Sequence, residues 1–310
     1  MPWRVIVLVL CAAVAVGGGL AVWQRIAADA AQKCATPVVQ GPATLGAGGT
    51  STPSVASTPT ATPTPSVTPT PSATPKAPVV TPSPSAAPKP SAKPLAGKTI
   101  VVDPGHNAKY TKANRVLVPS GNGKMKACNS SGTATNAGWP EHTFNWLQAN
   151  ALADQLRALG ATVVLTREND AGQGPCINLR AGTANKADAD ILISIHADGN
   201  LSKGARGFHV AYSTTMEGGH AVEKQSKTLA IAARDALTSG TKMPRSTYIG
   251  RGTALSPRSD LGTLNLLTKT PGIMLELGNM RNATDANLQH SAQFRQDVAK
   301  ALAQAVVDTI

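Results

Sequence analysis

The sequence predicts an α/β fold: a single helix–sheet–helix sandwich around a mostly parallel, twisted sheet, preceded by a disordered spacer rich in Pro, Thr and Ser. Two observations predict it. In residues 96–310, short apolar segments rich in β-branched residues alternate with longer segments of helical periodicity. Thirteen of the 23 prolines fall within residues 51–94, where apolar residues other than Ala and Val are nearly absent, so that stretch cannot bury a core.

The N-terminal region, residues 1–30, has the features of an export signal. Its apolar run, residues 5–23, follows Arg4 and precedes Arg25 and an Ala-Asp-Ala site at 28–30. The run is long for a signal peptide and just long enough to span a bilayer, so a cleaved signal peptide and a retained membrane anchor are both open. Either outcome predicts an exported protein that works in the cell wall or periplasmic space.

Residues 31–95 form the predicted linker. Units such as Thr-Pro-Thr-Pro-Ser favour an extended, polyproline-like spacer that holds the next domain away from a membrane. Ser/Thr-Pro tracts of exported proteins are also often glycosylated. The third region, residues 96–310, is long enough for one well-packed domain.

The folded region is basic, with 23 Lys and Arg against 16 Asp and Glu and a formal charge of +7. This excess either serves solubility or attracts an anionic polymer. For an exported protein we expect wall phosphates or peptide carboxylates as partners. We expect no nucleic-acid binding, because no such motif occurs and only three Phe and three Tyr are present for base stacking.

The predicted elements follow in chain order. We expect strands at residues 98–103, 162–166, 189–196, 208–212 and 272–276. We expect helices at residues 141–159, 177–187, 223–237 and 285–310. The segments 107–140 and 239–262 are polar and rich in Gly, which predicts loops.

Three predicted strands end in a residue suited to chemistry, namely His106, His196 and Glu276, and Glu141 begins the helix after the first strand. Strand carboxyl ends and the following helix amino ends share one edge of a parallel sheet, so the four side chains can converge there. Two histidines, one carboxylate and an open position are typical of a catalytic zinc site. A further carboxylate can then act as general base on the attacking water.

Each of these residues also has an ordinary structural interpretation. Glu141 can be a helix-start acid favoured by the helix dipole, and His106 can cap the Pro-Gly turn before it. Glu276 can pair with an arginine, and a histidine that ends a strand is more often packed than bound to metal. The choice between a structural role and a metal site therefore depends on the order of these residues in the chain and on the motifs around them.

Those motifs resemble the zinc-dependent N-acetylmuramoyl-L-alanine amidases of the amidase-3 type, and most closely their exported actinobacterial, mycobacterial-type members. The matching motifs occur in family order from about residue 98 to the C-terminus: 100–106 (IVVDPGH), 141–145 (EHTFN), 164–167 (VLTR), 178–180 (NLR), 184–185 (AN), 194–198 (SIHAD) and 275–282 (LELGNMRN). The resemblance implies that His106, Glu141 and His196 bind Zn²⁺ and that Glu276 is the catalytic acid/base.

The resemblance also implies the reaction: hydrolysis of the amide between N-acetylmuramic acid and the L-alanine of the peptidoglycan stem peptide. The protein is then expected to be a metal-dependent amide hydrolase that acts on peptidoglycan and muropeptides as a monomer. One alternative is a non-catalytic peptidoglycan-binding module, which would lack a ligand or the acid. The other is a different zinc wall peptidase, which would show other motifs such as His-x-His pairs.

Other residues within these motifs have less specific roles. Asp103, three residues before the first histidine, either orients a ligand from outside the coordination sphere or caps the turn. Arg281 and Asn282 are candidate substrate contacts. Arg167 and Arg180 match family positions, and we expect them to brace loops through ion pairs.

The segment 107–140 is longer than in many family members and contains five basic residues: Lys109, Lys112, Arg115, Lys124 and Lys126. We expect a hairpin or lobe beside the cleft that contacts the anionic wall polymer. The segment also holds Cys128, while Cys176 lies in the loop after the second predicted strand, at the same edge. Because the compartment is oxidising, we predict a Cys128–Cys176 disulfide.

Overall fold

The computed structural model describes residues 93–310. The predicted signal or anchor at 5–23 and nearly all of the predicted linker at 31–95 lie outside the described residues. Within residues 93–310, no helix is both long enough and apolar enough to cross a membrane.

Residues 93–310 contain eight strands, of which six form the main sheet and the second and third form a separate pair. They are β1 (Thr99–Pro104), β2 (Leu117–Pro119), β3 (Met125–Ala127), β4 (Thr162–Leu165), β5 (Ile191–Asp198), β6 (His209–Ser213), β7 (Leu255–Arg258) and β8 (Gly272–Asn279). The sheet has the order β4-β1-β5-β8-β6-β7. β4, β1, β5 and β8 are parallel, whereas β6 is antiparallel to β8 and parallel to β7. The predicted, mostly parallel sheet is confirmed.

Helices cover both faces of this sheet. They are α1 (Glu141–Ala158), α2 (Ile177–Lys186), α3 (Gly219–Gly240), α4 (Gly262–Asn265), α5 (Ala283–His290) and α6 (Ala292–Val307). α1, α3 and α6 contribute to one apolar cluster, and α2 and α4 contribute to another. The predicted helix–sheet–helix sandwich is therefore also confirmed.

The central strand β5 shows how these two cores arise. Ile191, Ile193 and Ile195 belong to the cluster with α1, α3 and α6, and each is at most 1 % exposed. Leu192 belongs to the cluster on the other face. Because side chains alternate along a strand, Ser194 and His196 lie on the α2 face, where the apolar core ends and a cleft begins.

The structure differs from the prediction at the C-terminal helix and in the loop 239–262, and the short helix α4 was not predicted. The single helix expected at 285–310 is two helices, because Ser291 is extended and its hydroxyl accepts the N–H of Phe294 as the N-cap of α6. β7 lies inside the loop predicted at 239–262. It is a short edge strand containing Pro257, and such a strand lacks the apolar run that predicts a central one.

The 107–140 segment contains the predicted hairpin, formed by the antiparallel pair β2 and β3. Its side chains are open to solvent, with Leu117 62 % and Met125 53 % exposed. The Asn122 side chain donates to the Thr215 carbonyl at 2.6 Å, which attaches the turn to the domain. At the base of the hairpin, the sulfur atoms of Cys128 and Cys176 are bonded.

We expect the Cys128–Cys176 bridge to form in protein prepared under oxidising conditions, because the fold brings the two Cα atoms to 4.4 Å, a separation that a disulfide spans. Peptide mapping after thiol alkylation of the denatured, unreduced chain should find neither residue modified. Reduction before alkylation should make both reactive, which serves as the control. Modification of either residue without a reductant would contradict the prediction.

Candidate active site

Four side chains lie together at the carboxyl edge of the sheet and line one cleft. His106 follows β1 through a Pro-Gly turn, and Glu141 is the first residue of α1. His196 is the sixth of the eight residues of β5, and Glu276 is the fifth of the eight residues of β8. The parallel register pairs these last two residues directly with each other.

The two imidazoles and one carboxylate face one another closely. His106 Nε2 lies 3.1 Å from Glu141 Oε2, and His196 Nδ1 lies 3.1 Å from Glu141 Oε1. The two ring nitrogens are also 3.1 Å apart. The three candidate ligand atoms lie within 4.8 Å of one another. This donor set of two nitrogens and one oxygen fits Zn²⁺, whereas Ca²⁺ and Mg²⁺ favour oxygen ligands alone.

Both oxygens of Glu141 are held in place by donors. The Ala197 N–H donates to Oε1 at 3.1 Å, and the Thr133 N–H donates to Oε2 at 2.9 Å. Asn145 lies one helical turn along α1 and donates to Oε1 at 3.3 Å. Glu141 is only 3 % exposed, so these donors replace the water that its carboxylate loses on burial.

His106 has a backbone conformation that is rare outside glycine, with a φ of 60°. Its Nδ1–H donates to the Ser130 carbonyl at 3.1 Å, which leaves Nε2 available to a metal. The residue before it must be glycine for a different reason. A Cβ on Gly105 would lie 2.2 Å from the His196 ring.

Burial and neighbouring charges shift the pKa values of these three groups. Burial lowers the pKa of His196. Burial also acts to lower the pKa of His106, but the charge and hydrogen bond of Glu141 outweigh it and raise that pKa. Burial acts to raise the pKa of Glu141, and the two histidines outweigh it and hold the pKa well below its ordinary value. Glu141 is therefore a carboxylate.

Glu276 is in the opposite electrostatic situation. Burial raises its pKa well above the ordinary value, and the negative charges of Glu141 and Asp198 raise it further, whereas Arg258 opposes them. A divalent cation held beside it would offset the charge of Glu141. The pKa of Glu276 would then fall toward the range in which a carboxylate serves as a general base.

The site opens into a cleft of about 530 Å³. Its lining includes the hairpin residue Lys126 and, from the end of β7 and the loop after it, Arg258 and Asp260. Lys126 Nζ lies 3.7 Å from Asp260 Oδ2 and also donates to the Asp260 carbonyl. The hairpin and the loop after β7 therefore meet at one end of the cleft.

Asp103 is buried at the bottom of the same cleft, and no histidine is among its hydrogen-bond partners. Its Oδ1 accepts from Arg180 and from Thr166, each at 2.5 Å, and its Oδ2 accepts from Ser194 at 2.6 Å. Burial acts to raise the pKa of Asp103, but Arg180 and the two hydroxyls lower it to about 2. Asp103 is thus the buried counterion of Arg180, and its role as a ligand orienter or turn cap stays a prediction. Ser194, whose motif suggested no chemical task, belongs to the same network.

Arg281 and Asn282, the candidate substrate contacts, bond to neighbouring parts of the domain, and their substrate role stays a prediction. Asn282 Oδ1 accepts the N–H groups of Thr284 and Asp285 and so caps α5. Arg281 Nη1 donates to the Ala134 carbonyl at 3.3 Å. Within the described chain, neither residue lines the cleft.

The sequence interpretation missed the groups that hold the ligands. Three of them, the Ser130 carbonyl and the N–H groups of Thr133 and Ala197, belong to the backbone and carry no residue-type signal. Asn145 did offer a signal, because it follows Glu141 by four residues within one motif and a helix brings such residues together.

A buried His-Glu-His cluster beside a separate glutamate is the kind of site that metal-dependent hydrolases use. Residues 100–308 match the family model Amidase_3, described as N-acetylmuramoyl-L-alanine amidase. The chain therefore belongs to this amidase family, as its motifs predicted, and it is an enzyme of that class.

The chain is similar to mycobacterial members in particular. It is 42 % identical over 216 residues to the N-acetylmuramoyl-L-alanine amidase Rv3717 of Mycobacterium tuberculosis, which covers 68 % of this chain and 86 % of that protein. The crystal structure of Ami1 from Mycobacterium smegmatis is 39 % identical with a TM-score of 0.65, covering 69 % of this chain and 97 % of that one. The crystal structure of the apo form of Ami1 from Mycobacterium abscessus is 40 % identical with a TM-score of 0.65, and the match covers 69 % of this chain and 99 % of that one.

Replacing Gly105 with Ala is expected to abolish metal binding and activity, because the new Cβ must displace the His196 ring. Metal content after dialysis and hydrolysis of muropeptides measure the effect. Gly182→Ala is the matched control: its Cβ meets nothing within 4 Å, and an alanine inside α2 is favoured by about 0.5–1 kcal/mol. Wild-type metal content in Gly105→Ala would contradict the site geometry.

Proposed function

We propose that the protein is a zinc-dependent cell-wall hydrolase that cleaves the amide between N-acetylmuramic acid and the L-alanine of the peptidoglycan stem peptide. The observation that supports this proposal is the arrangement of His106, Glu141 and His196, with Glu276 in register beside His196. Family membership supports the choice of bond.

His106, Glu141 and His196 would hold the zinc through Nε2, the carboxylate and Nδ1 respectively. When bound there, zinc supplies Lewis acidity, which polarises the scissile carbonyl and makes water more acidic. Glu276, which is not part of the ligand cluster, takes the proton from the attacking water. It then passes this proton to the nitrogen of the leaving alanine as the amide bond breaks.

The geometry also separates this proposal from its two alternatives. A non-catalytic binding module would not need the fourth carboxylate, yet Glu276 lies in the cleft with its pKa raised. A zinc peptidase that cuts within the stem peptide would have other ligand motifs, and the chain has no His-x-His pair. The amidase reaction accounts for all four side chains.

Digestion of purified muropeptides tests the reaction. The wild-type protein should release free stem peptides that begin with L-alanine, whereas Glu276→Gln and chelator-treated protein should be slower by roughly 10²–10⁴-fold, because proton transfer or the metal is lost. Mass spectrometry identifies the products.

The exposed Glu168→Gln is the matched control for that experiment and should keep full activity. Cleavage of a peptide bond inside the stem would replace the amidase proposal with the peptidase alternative. An unchanged rate in Glu276→Gln would remove that residue from the mechanism.

We also infer that the enzyme works outside the cytoplasm as a monomer, either secreted or held by an anchor at residues 5–23, with the linker giving it reach. Its relatives support a wall location, since peptidoglycan is the substrate of a muramoyl-alanine amidase. Residues 5–23 and 31–92 lie outside the described structure, so this inference rests on their composition.

The basic segment 107–140 is the part of the domain best placed to contact other anionic wall polymers. It contains no Asp or Glu, and its five basic residues are all exposed. One of them, Lys126, lines the cleft. An anionic strand that runs beside the cleft would therefore meet positive charge before it reached the catalytic groups.

Removing four of these charges together, at Lys109, Lys112, Arg115 and Lys124, should weaken binding to anionic wall polymer and reduce its salt dependence, because fewer ion contacts form. Substitution by Gln and sedimentation with insoluble wall material across a salt series measure this. The matched control replaces four exposed lysines elsewhere: Lys203, Lys224, Lys227 and Lys300. Equal losses in both variants would show that net charge matters and the segment does not.

A further inference from the structure

Arg180 is a fully buried arginine directly beneath the candidate metal site. It lies in the first turn of α2 and is 2 % exposed. All five N–H donors of a guanidinium have an acceptor here. These acceptors are Asp103 Oδ1 at 2.5 Å, the Pro104 carbonyl at 2.8 Å, the His106 carbonyl at 2.8 Å, Asn107 Oδ1 at 2.6 Å and the Pro175 carbonyl at 3.1 Å.

Most of these acceptors belong to the chain segment that carries the first histidine. Arg180 thus contacts four of the five residues from Asp103 to Asn107. One nitrogen, Nη2, contacts both the His106 carbonyl and the Asn107 side chain. The guanidinium therefore sets the path of the backbone on each side of His106.

That backbone needs external support. His106 has a φ of 60°, a left-handed conformation that a residue with a Cβ rarely adopts unless its surroundings impose it. The side chain is held separately, through the bond from Nδ1 to the Ser130 carbonyl. Without the bonds from Arg180, relaxation of φ would move the ring and with it Nε2.

Both the counterion of Arg180 and the helix that carries Arg180 are attached to the rest of the site. Its counterion Asp103 accepts from Ser194 on β5, which lies two residues before the ligand His196. Cys176, at the N-cap of α2, joins Cys128, two residues before the carbonyl that holds the His106 ring. The arginine therefore connects the rigid sheet to the segment that contains the first ligand.

We propose that Arg180 is a positioning residue for the metal: its guanidinium holds the 103–107 backbone so that His106 Nε2 meets the other two ligand atoms. This inference rests on the proposed zinc site. This role differs from that of a residue that only braces a loop. Replacing a loop brace would lower the stability of the fold, whereas replacing a positioning residue would weaken metal binding in protein that is still folded.

The test measures zinc affinity and stability separately. Competition with a chromophoric chelator gives the zinc Kd, and thermal unfolding in chelator gives the stability of the metal-free fold. Arg180→Met should weaken zinc binding by roughly 10–100-fold, as loss of groups that orient a ligand does elsewhere. Saturating zinc should restore most of the kcat, because the catalytic glutamate is unchanged.

Two variants make the result specific. Arg206→Met removes a different ion pair, to the fully buried Asp285 at 3.1 Å, and should lower stability without changing the zinc Kd. Arg180→Lys keeps the charge but has three donors in place of five, so it should also weaken zinc binding. If Arg180→Met does not fold, the zinc Kd of Arg180→Lys tests the proposal instead.

A wild-type zinc Kd in folded Arg180→Met, or in Arg180→Lys when that variant must decide, would overturn the proposal. An equal loss of affinity in Arg206→Met would also overturn it, because general destabilisation would then be the cause. Failure of the zinc site itself gives a different result: the wild-type protein would bind no zinc, and His196→Ala would change nothing.

Discussion

The parallel pairing of β5 with its two neighbours is the constraint on which the active site depends. The register sets His196 opposite Glu276 on one side, and on the other side the chain after β1 passes close against the His196 ring at Gly105. A slip of one residue would turn every β5 side chain to the opposite face. Such a slip would turn Ser194 and His196 into the apolar core that now holds Ile191, Ile193 and Ile195, where their polar groups would have no partners. Packing of the apolar core therefore determines the geometry of the polar site.

Charge is distributed through the site in layers. At the bottom, Asp103 and Arg180 form a buried ion pair with every guanidinium donor satisfied. Above them, Glu141 is stabilised by two histidines and by donors to both oxygens. Glu276 alone has other carboxylates as its main charged neighbours, which raises its pKa. A carboxylate perturbed in this way, within a cleft, is where proton transfer is expected.

Much of this could be predicted from sequence, and the parts that could not have a common physical cause. Strong apolar periodicity located the central strands and the helices, and strand order then brought His106, His196 and Glu276 to one edge. The prediction failed where the signal is local or weak, as at Ser291, which divides a continuous apolar pattern into α5 and α6. It also could not supply the backbone groups around Glu141, or the contacts of Asp103, because these depend on three-dimensional proximity.

Cys128 divides the 107–140 segment into two parts whose amino-acid sequences are constrained to different degrees. The residues after it supply the Ser130 carbonyl and the Thr133 N–H, which bond to His106 and Glu141. The path of this part of the backbone is therefore fixed by the candidate metal ligands. The residues before Cys128 form a largely exposed hairpin whose turn is attached to the domain through Asn122 and the Ser120 carbonyl. Exchanges at Lys126 and Ala127, the hairpin residues that line the cleft, would alter its rim while leaving the candidate ligands and their hydrogen-bond partners intact. The hairpin is thus a place where related enzymes can diverge in substrate context without rebuilding their chemistry.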